Sequence, residues 1–117
     1  MPNNRKILII DDETDLCLLL KDYFVKKDYD VSVSHTITDG MSMLNDSPPD
    51  ILFLDNNLPD GIGWAQAPLI ALEHPQTYIV LVSAFHPQAP DMPLHARYRI
   101  IEKPIRIADL NKQFATF

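Results

Sequence analysis

Four short stretches of this chain carry residue types that could do chemistry: Asp11-Asp12-Glu13, Asp55-Asn56-Asn57, Ser83-Ala84 and Lys103-Pro104. Carboxylates brought close together repel one another unless protons or a cation intervene. A set of oxygen ligands suits a hard ion such as Mg²⁺, which keeps several waters and takes only one or two protein carboxylates. That leaves a carboxylate over to act as a nucleophile. The hydroxyl of Ser83 and the ammonium of Lys103 could then hold an anionic substrate group. Each stretch also has a plain structural reading. A doubled Asp after a strand serves as a helix cap and complements the helix dipole. Asp55-Asn56-Asn57 reads equally as a polar turn, and most lysines are simply solvated.

The elements needed to gather these stretches are legible in the apolar pattern. Lys6–Ile10, Ile51–Leu54 and Tyr78–Val82 are nearly continuous apolar runs, as buried parallel strands require, while Val31–Ser34 and Tyr98–Ile101 read as edge strands. Between the first two strands, Leu16, Leu19, Leu20, Tyr23 and Phe24 repeat at helical spacing. Ile37, Met41 and Leu44 mark a second helix that stops before Ser47-Pro48-Pro49, and Ile107, Leu110 and Phe114 mark a last one. Pro68 delays the third helix to about Ala67. His86–Arg97 carries Pro87, Pro90 and Pro93, which predicts a fourth helix that is short or irregular. Strands alternating with helices imply an α/β, doubly wound, five-stranded parallel sheet of order 2-1-3-4-5, flavodoxin-like. In such sheets the functional crevice lies beyond the carboxyl ends of the strands. The first strand ends at Asp11-Asp12, the third at Asp55, the fourth at Ser83 and the fifth at Lys103, so one edge receives them all.

The bulk properties bound the function. A chain of 117 residues, 46% hydrophobic and 22% charged, has the size and composition of one globular domain, so 1–117 is expected to be a single unit. A formal charge of −6 disfavours direct contact with nucleic-acid phosphates. Cys17 stands alone, no apolar run reaches the roughly 20 residues of a membrane span, and MPNNRK leads straight into a strand. A cytoplasmic protein without membrane contact is expected. Cys17, Trp64 and the methionines are assigned to packing, and His35, His74, His86 and His95 to the surface or loops, since they lack ligand spacing.

The runs ILIIDDE, ILFLDNNLPDGIG, VLVSAF and IIEKP resemble, in order and spacing, the signature segments of response-regulator receiver domains. The resemblance covers nearly the whole chain. It implies a phosphorelay role, with Asp55 accepting a phosphoryl group from a histidine kinase or phosphotransfer protein. It further implies that Asp12, Asp55 and the Asn57 carbonyl ligate Mg²⁺, that Asp11 orders the metal's waters, and that Ser83 bonds a phosphoryl oxygen. Lys103 would pair with Asp55 before transfer and with the phosphoryl group afterwards. Pro59 and Gly63 fall on the family's loop pattern, and a cis Lys103–Pro104 bond is carried over with it. Such a domain is regulatory, at most phosphorylating and dephosphorylating itself, and its output is an effector or an appended domain. The sequence ends with its last helix, which fits a single-domain regulator or one part of a longer protein.

Two features depart from the family. Ile100 stands where many members carry Tyr or Phe, with Tyr98 one step further away on the same strand face. The proline-rich stretch after Ser83 replaces a surface on which many members dimerise or meet effectors, which leaves a homodimer open. Two rival functions remain at this level. One is a Mg²⁺-dependent aspartyl-phosphate phosphatase or phosphotransferase, although enzymes resembling the haloacid dehalogenase superfamily place their nucleophile after the first strand. The other is a receiver-like binding module that makes no use of phosphate.

Overall fold

The computed structural model describes residues 5–85 and 88–115. Five parallel strands form one sheet: β1 (Lys6–Ile10), β2 (Asp30–Ser34), β3 (Ile51–Asp55), β4 (Tyr78–Ser83) and β5 (Tyr98–Glu102). Their spatial order is β2-β1-β3-β4-β5, the 2-1-3-4-5 order expected from the sequence. Burial explains the order. Every residue of β3 is buried and all but the first residue of β1 and β4 are buried, so these strands need neighbours and helices on both sides. The strands β2 and β5, with more polar sequences, close the edges.

Side-chain alternation splits the interior in two. Ile7, Ile9, Phe53, Val80 and Val82 pack against helices α1 (Thr14–Val25) and α4 (Ile107–Phe114). Leu8, Ile10, Leu52, Leu54, Ile79 and Leu81 pack on the other face, against α2 (Ile37–Asp46) and α3 (Ala67–Glu73). Gly40 of α2 lies so close to the sheet that an added Cβ would stand 2.5 Å from Ile10 Cδ1. Trp64 is buried in the second core, as expected.

The prolines act as the sequence predicts. Pro68 occupies the first turn of α3, where a missing amide costs nothing, and Gly63–Gln66 precedes it as a 3₁₀ turn. Residues 88–97 form no helix; His86 and Pro87 of the same stretch lie outside the described residues. Three of the strands run one polar residue further than the apolar runs suggest. Asp55, Ser83 and Glu102 join the ladder because neighbouring strands are still beside them, Asp55 aligned with Val82 and Ser83 with Glu102. This extension matters, since it fixes two of the candidate site residues in the sheet itself.

Candidate functional site

The parallel register aligns Ile10 with Leu54, so the chain delivers Asp11 and Asp55 side by side as it leaves β1 and β3. Both are buried, at 2% and 4% exposure, and Asp12 beside them is exposed. One carboxylate oxygen from each of Asp11, Asp12 and Asp55 lies within 4.8 Å of the others. Lys103, just past β5, reaches across the end of β4 to join them. Its ammonium stands 3.2 Å from Asp11 Oδ2, 3.4 Å from Asp55 Oδ1 and 3.0 Å from Glu13 Oε1. The Lys103 amide donates to the Ser83 carbonyl at 2.8 Å, and the Lys103–Pro104 bond is cis.

The charges are out of balance, and the acidities report it. Burial, and then the charge of Asp11, push the Asp55 carboxyl up to about 6; Lys103 and the Asn56 amide, which donates to Oδ1 at 2.9 Å, only partly oppose this. Asp11 is also raised, chiefly by burial, against the pull of the Glu13 amide and Lys103. Burial alone would lower Lys103, but its bond to Glu13 and the charges of Asp11 and Asp55 outweigh that and lift it to about 12. One ammonium thus serves several acids without neutralising them. An all-oxygen donor set with surplus negative charge fits a hard divalent cation.

The loop after β3 is folded tightly back on the site. An added Cβ at Gly63 would stand 2.0 Å from the Asp55 carbonyl oxygen, so a side chain cannot be accommodated there. The Gly63 amide donates to the Asn56 carbonyl at 2.8 Å, and the Trp64 indole donates to the Leu54 carbonyl at 3.1 Å. Asn57, two residues past Asp55, is exposed and lies in a two-stranded ribbon, Asn57–Leu58 against Gly61–Ile62. Asp60 of the same loop accepts from the amides of Ile37 and Thr38 at 2.8 and 2.9 Å, tying the loop to the start of α2. Ser83 is buried at the end of β4; its hydroxyl oxygen accepts from the Phe85 amide at 3.2 Å, and among the described residues it makes no bond to the acids.

The structure therefore gathers Asp11, Asp12, Asp55 and Lys103 into one cluster, with Ser83 on the neighbouring strand end and Asn57 in the adjoining loop. Three contributors were not placed in the site from sequence. Glu13 is a partner of Lys103, and Cys17 and His35 both touch the Asp11 carbonyl, at 3.3 and 2.8 Å. The acid at Glu13 was visible as part of a triplet, but its pairing across 90 residues was not.

The family model for the response regulator receiver domain matches residues 7–115. The chain belongs to the response-regulator receiver family. This receiver domain is 27% identical over 118 residues to the response regulator protein PilR of Pseudomonas aeruginosa, covering 97% of this chain. It spans only 26% of PilR's length. A CheY-like receiver domain protein from Methanospirillum hungatei shares the fold with a TM-score of 0.80 at 20% identity, over 97% of this chain and 92% of that one. TrrA, a response regulator of Thermotoga maritima solved in complex with Mg²⁺-BeF, shares it with a TM-score of 0.77 at 21% identity, over 92% and 94% of the two chains. As a receiver domain the chain is regulatory. None of the helices among its described residues is long and apolar enough to cross a membrane.

Proposed function

We propose that residues 1–117 act as one phosphorylation switch in which Asp55 accepts a phosphoryl group from the phosphohistidine of a histidine kinase or phosphotransfer protein. The observation that carries this reading is the placement of Asp55: buried at a strand end, with Asp11 and Asp12 on one side and the Lys103 ammonium 3.4 Å from its Oδ1. A carboxylate oxygen of Asp55 attacks phosphorus in line, the P–N bond to the donor histidine breaks, and the electron pair leaves with the imidazole. Lys103 then exchanges its carboxylate partner for the phosphoryl oxygens, a short movement for a side chain already shared among three acids. The Ser83 hydroxyl, whose oxygen is held by the Phe85 amide, keeps its own proton to donate to a phosphoryl oxygen.

Asp12, Asp55 and the Asn57 carbonyl would hold Mg²⁺, and Asp11 would order its waters. Bound there, the ion would supply charge neutralisation for the equatorial oxygens of the transferred group. The capture of TrrA with Mg²⁺-BeF supports this assignment, as the complex of TrrA with the histidine kinase ThkA supports the donor class. The chain's own chemistry is confined to taking up and shedding the phosphoryl group, and an effector or an output domain reads the result. A cytoplasmic location suits the lone buried thiol of Cys17.

Incubation with acetyl phosphate and Mg²⁺, followed by intact-mass analysis, tests the proposal. A single phosphate adduct is expected on the parent chain and none on Asp55→Asn. An adduct that persists on the variant would assign the acceptor to another residue.

A further inference from the structure

His35 has no place in the chemistry proposed above, yet its ring bonds the backbone that carries two of the acids. Its Nδ1 lies 2.8 Å from the backbone carbonyl oxygen of Asp11. A carbonyl can only accept, so Nδ1 carries the proton and the ring is the donor. The same carbonyl receives the Cys17 thiol at 3.3 Å from the buried side. The Asp11 amide meanwhile donates to the Ser34 carbonyl at 3.0 Å, and Asp11 Oδ1 accepts the Glu13 amide at 2.8 Å. The Asp11 backbone is thus gripped at its N–H and at its carbonyl.

The grip matters because the Asp11–Asp12 peptide is a rigid plane. Fixing its carbonyl direction fixes where the two flanking carboxylates leave the backbone relative to Asp55. His35 is well braced for the task, although its own residue is exposed. It follows β2 directly. Ser34 Oγ donates to the Thr36 carbonyl at 3.0 Å, and Asp60 from the loop after β3 accepts from the amides of Ile37 and Thr38, so the turn carrying the ring is anchored on both sides.

We infer that His35 is a positioning residue of the cation pocket, acting through the Asp11 carbonyl to set the Asp11 and Asp12 carboxylates for metal binding. The inference rests on the Mg²⁺ pocket proposed above. Groups that orient ligands by hydrogen bonds typically contribute about 10- to 100-fold in metal affinity, and an exposed donor acting on backbone belongs at or below the lower end of that range.

The test is calorimetric titration of Mg²⁺ into the parent and three variants, with thermal melts in EDTA beside it. His35→Leu removes the donor and is expected to weaken Mg²⁺ binding on the order of 5-fold. His35→Asn places an amide nitrogen on Cγ, where Nδ1 stood, and is expected to restore affinity to within about twofold of the parent. A purely structural role would instead lower the metal-free melting temperature of His35→Leu and give Asn no special power of rescue. Asp12→Ala separates the two levels of the argument. If it loses Mg²⁺ while His35→Leu binds like the parent, or His35→Asn is as weak as His35→Leu, the role of His35 is overturned and the pocket stands. If Asp12→Ala also binds like the parent, the pocket itself is wrong and the inference goes with it.

Discussion

Asp55 is held where ionisation is costly, and the cost has a definite sign. Its carboxyl titrates at about 6 in the folded chain against 3.8 when unperturbed. Between those values the folded state binds more protons than the unfolded one, so stability falls as pH rises from about 4 through about 6. Above that window the full penalty applies, on the order of 3 kcal/mol without metal. Asp55→Asn should therefore melt several degrees above the parent at neutral pH in EDTA, with the gap closing near pH 4. A constant gap across pH would remove burial as its cause. Lys103 has the same sign of dependence in a far more alkaline window. Raised to about 12, it contributes stability that is present at neutral pH and is lost only as pH rises through that value. Lys103→Met leaves the acids without their ammonium, and the rate of adduct formation from acetyl phosphate should fall about 100-fold, the usual effect of deleting a charge-stabilising donor. Mass spectrometry at timed intervals measures it, and an unchanged rate would remove Lys103 from the mechanism.

The elements differ in how openly the sequence announces them. Pro68 and the trio Pro87, Pro90 and Pro93 act locally, through missing amides, so the late start of α3 and the missing helix could be read directly. The apolar runs likewise located all five strands. Contacts between distant segments leave no such trace. A solitary His35 has no spacing to mark it, Glu13 meets Lys103 only because β1 and β5 end on one edge, and the ribbon of Asn57–Leu58 with Gly61–Ile62 is too short for any periodicity. Two measurements belong at this scale. In residues 88–97 the Ala96 amide bonds the Pro93 carbonyl, a single turn, while the Arg97 carbonyl is taken by Ile79. Hydrogen exchange should accordingly be fast across 88–95 and slow in β3 and β4; protection of both alike would mean a folded segment there. Gly63→Ala drives a methyl into the Asp55 backbone, which cannot swing aside as a side chain would. A loss of about 3 kcal/mol is expected, at the upper end for overpacking, and urea titration would show it as a lower midpoint.

At the scale of the molecule, the two cores are joined through the sheet but are not alike. One contains a cluster in which the rings of Phe24, Phe53 and Phe114 lie 5.5–5.7 Å apart, linking α1, β3 and α4. Phe114→Ala should lower the unfolding free energy by about 3–5 kcal/mol, measurable in the same urea titration. The exposed pair of Asp22 and Lys26 at the end of α1 should contribute almost nothing by comparison. The acid cluster at the sheet edge sits on a chain that is itself negative, at −6. Among the described residues Lys103 is the one cation paired with Asp11, Glu13 and Asp55, with Asp12 close by, so the crevice repels any anion that approaches it unaccompanied. This shared lysine makes the site a queue with a fixed order of arrival. On the function proposed above, a divalent ion would enter first, drawn in by the same field that turns the phosphodonor away, and only then would the donor come within reach of Asp55. In a rapid-mixing experiment, protein preloaded with Mg²⁺ should react with acetyl phosphate at once, whereas metal-free protein merely premixed with acetyl phosphate should show a lag when Mg²⁺ is added. Identical traces would mean that the crevice admits its two guests in either sequence.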